Sequence, residues 1–110
     1  MEWIDNLDGN VIVCNAQGTI IYMNNRAARQ YAAEGGFALI GRNLMDCHGE
    51  ASREKIRRIM ETHQKNVYTI EKRGKKKIIY QSPWMDGEEF KGIIEFSLEI
   101  PFEMKHYKRE

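Results

Sequence analysis

Five side chains offer sulfur or imidazole for nucleophilic, metal or proton chemistry: Cys14, Cys47, His48, His63 and His106. A Cys–His nucleophile needs the two groups within hydrogen-bond reach and a third group to orient the base. A structural metal needs three or four ligands at suitable spacing. The five show neither a Cys-x-x-Cys nor a His-x₃-His spacing. Cys47 and His48 are neighbours in sequence, and neighbours point different ways in both helix and strand. The expectation is therefore no enzyme activity and no metal. The pair Cys47-His48, following Gly41-Arg42-Asn43, reads as the rim of a pocket. His63 has two readings: it caps helix carbonyls and gains from the dipole, or it points into a pocket as a ligand.

The elements around these residues follow from the 110-residue chain, which is 42% apolar and 30% charged with a net charge of +1. That length suits one domain with its own core, expected to comprise a body from about 7 to 100, a flank 1–6 and a tail 101–110. So small a net charge gives no general pull toward nucleic acid or an anionic membrane. The longest apolar runs are four or five residues, far short of the ~20 a membrane span needs. The opening "MEWIDNLDGN" has no basic start and apolar stretch, so it is no secretory signal. Two cysteines cannot build a disulfide framework, and the expected setting is reducing and cytoplasmic.

"NVIVC" and "TIIYMN" read as two strands around the turn "NAQG". Asn25 is a plausible cap for a helix over "RAARQYAAE", ended by Gly35-Gly36. After a stretch of short turns, Ser52 is expected to cap the clearest helix, closed by Asn66. Its residues Ile56, Ile59, Met60 and His63 fall at i, i+3, i+4 and i+7, on one face. The last third is all strand: "VYTIEK", "KKIIYQSPWM" and "FKGIIEFSLEI". In the last, Phe90, Gly92, Ile94, Phe96, Leu98 and Ile100 share the face expected to meet the core, and Glu95, Ser97 and Glu99 share the other with Ile93. Five strands mostly in hairpins imply an α+β fold, an antiparallel sheet with its helices packed on one face.

In that order, "DGNVIVCNAQGTIIYMNNRAA", "LIGRNL", "SREKIRRIMETH" and "GEEFKGIIEFSLEI" resemble the PAS domain family over roughly Leu7 to Ile100. The most specific parts are Ile20-x-Tyr22-x-Asn24-x-x-Ala27 and the "IGRNL" turn. The resemblance implies a five-stranded antiparallel sheet of order 2-1-5-4-3 curved around a pocket, in a module that senses ligands, cofactors, light or redox state, or that dimerises. The photochemical branch carries Gly-Arg-Asn-Cys, with the cysteine attacking a flavin. Here Leu44 follows Gly41-Arg42-Asn43, which removes that chemistry and leaves only non-covalent flavin binding. The haem branch places its axial histidine near the start of the long helix. Ser52-Arg53 stand there, so a haem would need another ligand, such as Cys47 or His48.

The expected function is a sensory module that binds a small ligand or cofactor and relays its state through protein contacts. The alternative is a ligand-free dimerisation or docking module whose pocket its own side chains fill. The candidate lining is Tyr22, Asn24, Leu44, Cys47, His48, Met60, His63, Tyr80, Ile94 and Phe96, an apolar set with a few polar groups, as such a site needs. The run Arg73-Gly74-Lys75-Lys76-Lys77 reads as a solvated hairpin tip. Ile93, Ile78 or Ile79, and Trp84 with Trp3 are expected on the outer sheet face, an apolar association surface for a homodimer. The competing expectation is that "MEWIDNL" folds back over it. With no effector expected after the last strand, the signal would leave through a partner protein or the dimer.

Overall fold

The computed structural model describes residues 1–47 and 49–110, and the side chains of all of these except Cys47. The chain opens with a single helical turn, α1 (Glu2–Asp5), that the sequence pattern does not signal. A hairpin follows, β1 (Asn10–Asn15) and β2 (Ile20–Met23). Asn15 builds its turn: Oδ1 accepts the backbone N–H groups of Gln17 and Thr19, both at 3.0 Å, and Gly18 adopts φ 85°.

The next helix, α2 (Asn25–Gln30), is capped by Asn24 rather than Asn25, because the Asn24 side chain takes the Ala27 N–H. It ends earlier than its composition suggests. At Tyr31 the chain tightens into 3₁₀ turns at Ala32–Glu34, Gly36–Leu39 and Leu44–Cys47. Helix α3 (Glu50–Thr62) starts at the Gly49 cap, before Ser52, and stops at His63, before Asn66. His63 takes the left-handed conformation, φ 56° and ψ 34°, while its N–H still bonds the Ile59 carbonyl.

Three strands complete the sheet: β3 (Asn66–Lys72), β4 (Lys75–Asp86) and β5 (Glu89–Ile100). Arg73 and Gly74, both at positive φ, close the β3–β4 turn, as a two-residue hairpin requires. The five strands form one antiparallel sheet in the order β2-β1-β5-β4-β3, the order the sequence resemblance implied. Ile56 and Ile59 of α3 pack on Cys14 and Ile93, with Leu44, Met45, Met60 and Phe90 around them. A second cluster joins Ile20 and Met23 of β2 to Ala27 of α2 and to Leu39.

The face of β5 that meets the helices is the reverse of the expected one. Ile93 is 5% exposed and lies in the α3 cluster. By the alternation of a strand, Glu95 and Ser97 share its side, and Ile94, Phe96 and Leu98 point away. The register irregularity at Trp84/Met85 pairs Gly92 with Trp84 and Phe90 with Met85, so Lys91 has no partner. The extra residue turns Phe90 to the helix side with Ile93, and the alternation counted back from Ile94 fails there.

Candidate functional site

Between the sheet and the 3₁₀ turns lies a cavity of about 310 Å³, at the lower end of the ~300–1,000 Å³ typical of small-molecule sites. Its apolar wall comes from Ile12 of β1, Ile20 and Met23 of β2, and Leu39 and Leu44 of the turns. Polar groups sit on the remaining wall: Tyr31, Glu34, Arg42, Asp46 and Glu95. The turns reach the sheet because backbone bonds tie them to β2. The Gly41 N–H donates to the Ile20 carbonyl at 2.8 Å, and the Ile20 N–H to the Arg42 carbonyl at 2.9 Å. Asn43 adds a donation from Nδ2 to the Gln17 carbonyl, and its Oδ1 accepts the Met45 N–H. The Gly41-Arg42-Asn43 segment is thus the clasp that holds one side of the cavity to the β1–β2 hairpin.

Glu95 is positioned by a row of polar side chains across the sheet. Asn66 Nδ2 donates to Gln81 Oε1 at 2.9 Å, and Gln81 Nε2 donates to Glu95 Oε2 at 2.7 Å. Gln81 is 8% exposed, so its amide is fully committed to this relay. Burial raises the Tyr31 phenol above its ordinary value, with Glu95, Glu34 and Tyr68 adding to it in that order. Tyr68 is raised in the same way, by burial and then by Glu95.

Of the residues singled out from sequence, Leu44 lines this cavity. Met60 belongs to the neighbouring α3 cluster. Asn24 is 1% exposed but structural: Oδ1 accepts the N–H groups of Val11 and Ala27, and Nδ2 donates to the carbonyls of Gly9 and Ile4. Tyr22, Tyr80, Ile94 and Phe96 are corrected to the opposite face of the sheet. Register places Tyr22 beside Val13, Val13 beside Ile94, and Phe96 beside Tyr80, and opposed residues share a face. The physical reason is the parity of β5: once Ile93 and Glu95 face the helices, the even-numbered residues cannot. His63 is exposed, its ring stacked on Phe90 with centroids 4.5 Å apart and planes 2° from parallel. The Cys47 side chain and His48, both expected at the pocket rim, lie outside the described residues.

The outer-face expectation changes with the same parity. Ile79 and Ile93 are core residues, 7% and 5% exposed. Trp84 donates from Nε1 to the Cys14 carbonyl at 3.4 Å, and Trp3 is 70% exposed. The N-terminal segment does fold onto the sheet, through Tyr22 to Asp5 at 2.5 Å and Asn24 to the Ile4 carbonyl.

Sequence reasoning missed Tyr31, Glu34, Asp46 and Glu95 of the polar wall and Ile12, Ile20, Met23 and Leu39 of the apolar one, while Arg42 lay in the stretch expected as a pocket rim. Glu95 left one signal, a lone carboxylate inside "GIIEFSL". Tyr31 and Leu39 left none, since irregular turns carry no period.

Haem iron is held by His, Cys, Met or Tyr. The described lining holds no histidine or cysteine, and Leu44 offers no thiol to a flavin ring. It fits neither a histidine-held haem nor a cysteine-adduct flavin. Among the described residues no group of three or more His, Cys, Asp or Glu could hold a metal ion, and no helix is long and apolar enough to cross a membrane.

No curated protein matches the chain in sequence. Solved structures do match its fold. A C-terminal domain from Streptococcus mutans superposes with a TM-score of 0.72 at 18% identity, covering 87% of this chain and 78% of that one. The Vibrio cholerae VqmA dimer gives 0.68 at 16% identity over 91% of this chain and 49% of its own, so the chain spans about half of that protein. The Vibrio cholerae Aer2 receptor, described as a dual PAS-heme oxygen sensor, gives 0.61 at 15% identity, covering 84% of this chain and 95% of that one. The family model for the PAS fold matches residues 4–100. With the sheet order and these neighbours agreeing, the chain belongs to the PAS fold family.

Proposed function

We propose that the chain is a sensory module that takes a small ligand in the cavity between β1, β2 and the 3₁₀ turns, and passes the occupied state to other protein surfaces. The observation that carries this reading is the cavity itself: about 310 Å³, with an apolar wall opposite a few polar groups, Glu95 on β5 and the others on the turns. A docking module with a self-filled pocket would have spent that volume on side chains. Neighbouring folds support ligand sensing: Vibrio cholerae VqmA has been solved bound to DPO, and Aer2 is described as a heme oxygen sensor. The module acts by binding rather than catalysis, in a reducing, cytoplasmic setting.

The relay surface is the outer sheet face. Phe96, Tyr80 and Val67 form a cross-strand row there, with Val67 48% exposed. Apolar area of this kind marks association surfaces, and a homodimer through it is the simplest output.

Native mass spectrometry of the purified chain tests both parts. The expected spectrum is a dimer that releases a small molecule on denaturation. A bare monomer, together with no small molecule able to shift the resonances of Ile12 and Leu44, would end this reading.

A further inference from the structure

A ligand for this cavity must complement its wall, and the wall is electrically one-sided. The lining carries three carboxylates, Glu34, Asp46 and Glu95, against one guanidinium, Arg42. Glu95 is the one on the sheet, where strand geometry holds it still. The Asn66–Gln81 relay fixes its Oε2, and among the described residues Gln81 is the only hydrogen-bond partner of its carboxylate. Glu95 Oε1 is therefore left to water or to a ligand. Tyr31, on the same lining, makes no side-chain hydrogen bond among the described residues. Burial raises the Tyr31 phenol, and the nearby charge of Glu95 adds to the rise.

We propose that the cavity takes a small organic cation: a compact apolar body against Ile12, Leu39 and Leu44, and an amidinium, guanidinium or ammonium group paired with Glu95. This rests on the ligand-sensor reading above and adds the chemical class. Hydrogen bonds to a charged carboxylate are roughly twice as strong as neutral ones, and a partly enclosed cavity screens them less than open water does. An anion of the same shape would meet Glu95 with like charge.

The test uses three probes of nearly one shape: benzamidine, benzamide and benzoate. Each is titrated into the ¹⁵N-labelled full chain while the amide resonances of Ile12, Leu44 and Glu95 are followed. Benzamidine is expected to shift them and saturate at about tenfold lower concentration than benzamide, given the added strength of a charged pair, with benzoate weaker still. Glu95→Gln should bring benzamidine down to the level of benzamide. The probe order is read on the unaltered protein, so the test does not depend on the variant folding. If benzoate or benzamide shifts the same resonances as strongly as benzamidine, the cationic class is overturned and the pocket reading stands. If none of the three moves them, the pocket reading itself falls with it.

Discussion

Asn24 Oδ1 accepts the backbone N–H of Val11 at 3.0 Å, tying the cap of α2 to β1. The same oxygen caps the Ala27 N–H, and Nδ2 holds the Gly9 and Ile4 carbonyls. One buried side chain thus joins the N-terminal segment, the first strand and helix α2. Asn24→Ala leaves several buried backbone groups unpaired, at ~1–3 kcal/mol for each group that water cannot reach. The expected loss is about 2–4 kcal/mol in urea denaturation, more than the ~1 kcal/mol of an ordinary cap. A loss below that would mean the segment 1–9 is not held by this residue.

Gly92 sits at φ 156°, where an added Cβ would stand 1.9 Å from the Cys14 carbonyl oxygen and 2.8 Å from Trp84 Nε1. Gly92→Ala must push β1 away from β5 and break the Trp84–Cys14 hydrogen bond. It should cost more than about 3 kcal/mol, in the range reserved for strain and lost core contacts. Gly87→Ala is the control: φ is 63° with nothing within 4 Å, so only the left-handed penalty of ~1 kcal/mol applies. Equal losses in the two variants would show that the close approach at Gly92 is not felt.

His63 bears two opposing effects. Its left-handed backbone costs about 1 kcal/mol for a residue with a Cβ, and its ring recovers ~0.5–1.5 kcal/mol by stacking on Phe90. His63→Ala keeps the cost and loses the stacking, so stability should fall by about 1 kcal/mol. His63→Gly removes both and should be close to neutral. Neither should alter probe binding in the cavity, since His63 is not part of the lining. Weakened binding in both variants would restore His63 as a pocket residue.

The Tyr22–Asp5 pair should appear in the pH dependence of stability. The Tyr22 hydrogen bond, and then the N-terminal amine, hold the Asp5 carboxyl below its ordinary 3.8. A depressed folded-state value means its stabilisation is present above 3.8 and lost as pH falls through the lower folded value. Tyr22 runs the other way. Burial first, then Asp5, push its phenol up to about 12, so its contribution is complete below 10.0 and lost as pH rises through about 12. Thermal melts of the protein and of Tyr22→Phe should therefore differ most between pH 3.8 and pH 10.0, converging as pH falls below 3.8 or rises toward about 12. A gap that stays constant from acid to alkali would show that the pair is not formed in solution.

The outer sheet face gives a fifth check. Phe96 opposes Tyr80 and Val11 on that side, so Tyr80→Lys should leave the cavity probes unaffected while dispersing any homodimer seen by light scattering. Loss of probe binding with the dimer intact would reverse the assignment of the two faces.

Element order was legible because local signals agree with one another. Gly18, Gly35-Gly36, Gly74 and Gly87 punctuate the chain where φ turns positive. Ile56 and Ile59 mark the buried side of α3. The site was much less legible. Of the eight residues named from sequence whose side chains are described, Leu44 alone lines the cavity. Gly41-Arg42-Asn43 was legible as part of a pocket rim, but not as the clasp that ties the turns to β2.

The amino-acid sequence by itself determined the five strands, the long helix with its apolar stripe, and, through its likeness to a known family, the order of strands in the sheet. These depend on turn chemistry, on side-chain periodicity and on motif order. Only the tertiary structure decided which side of β5 is inside. A strand with apolar residues on both faces reads equally well either way up, and one extra residue, here Lys91, exchanges the faces beyond it. The pairing of β5 with β1 and the helix packing on Ile93 set that parity, and with it the placing of Glu95, rather than Ile94 and Phe96, on the cavity wall.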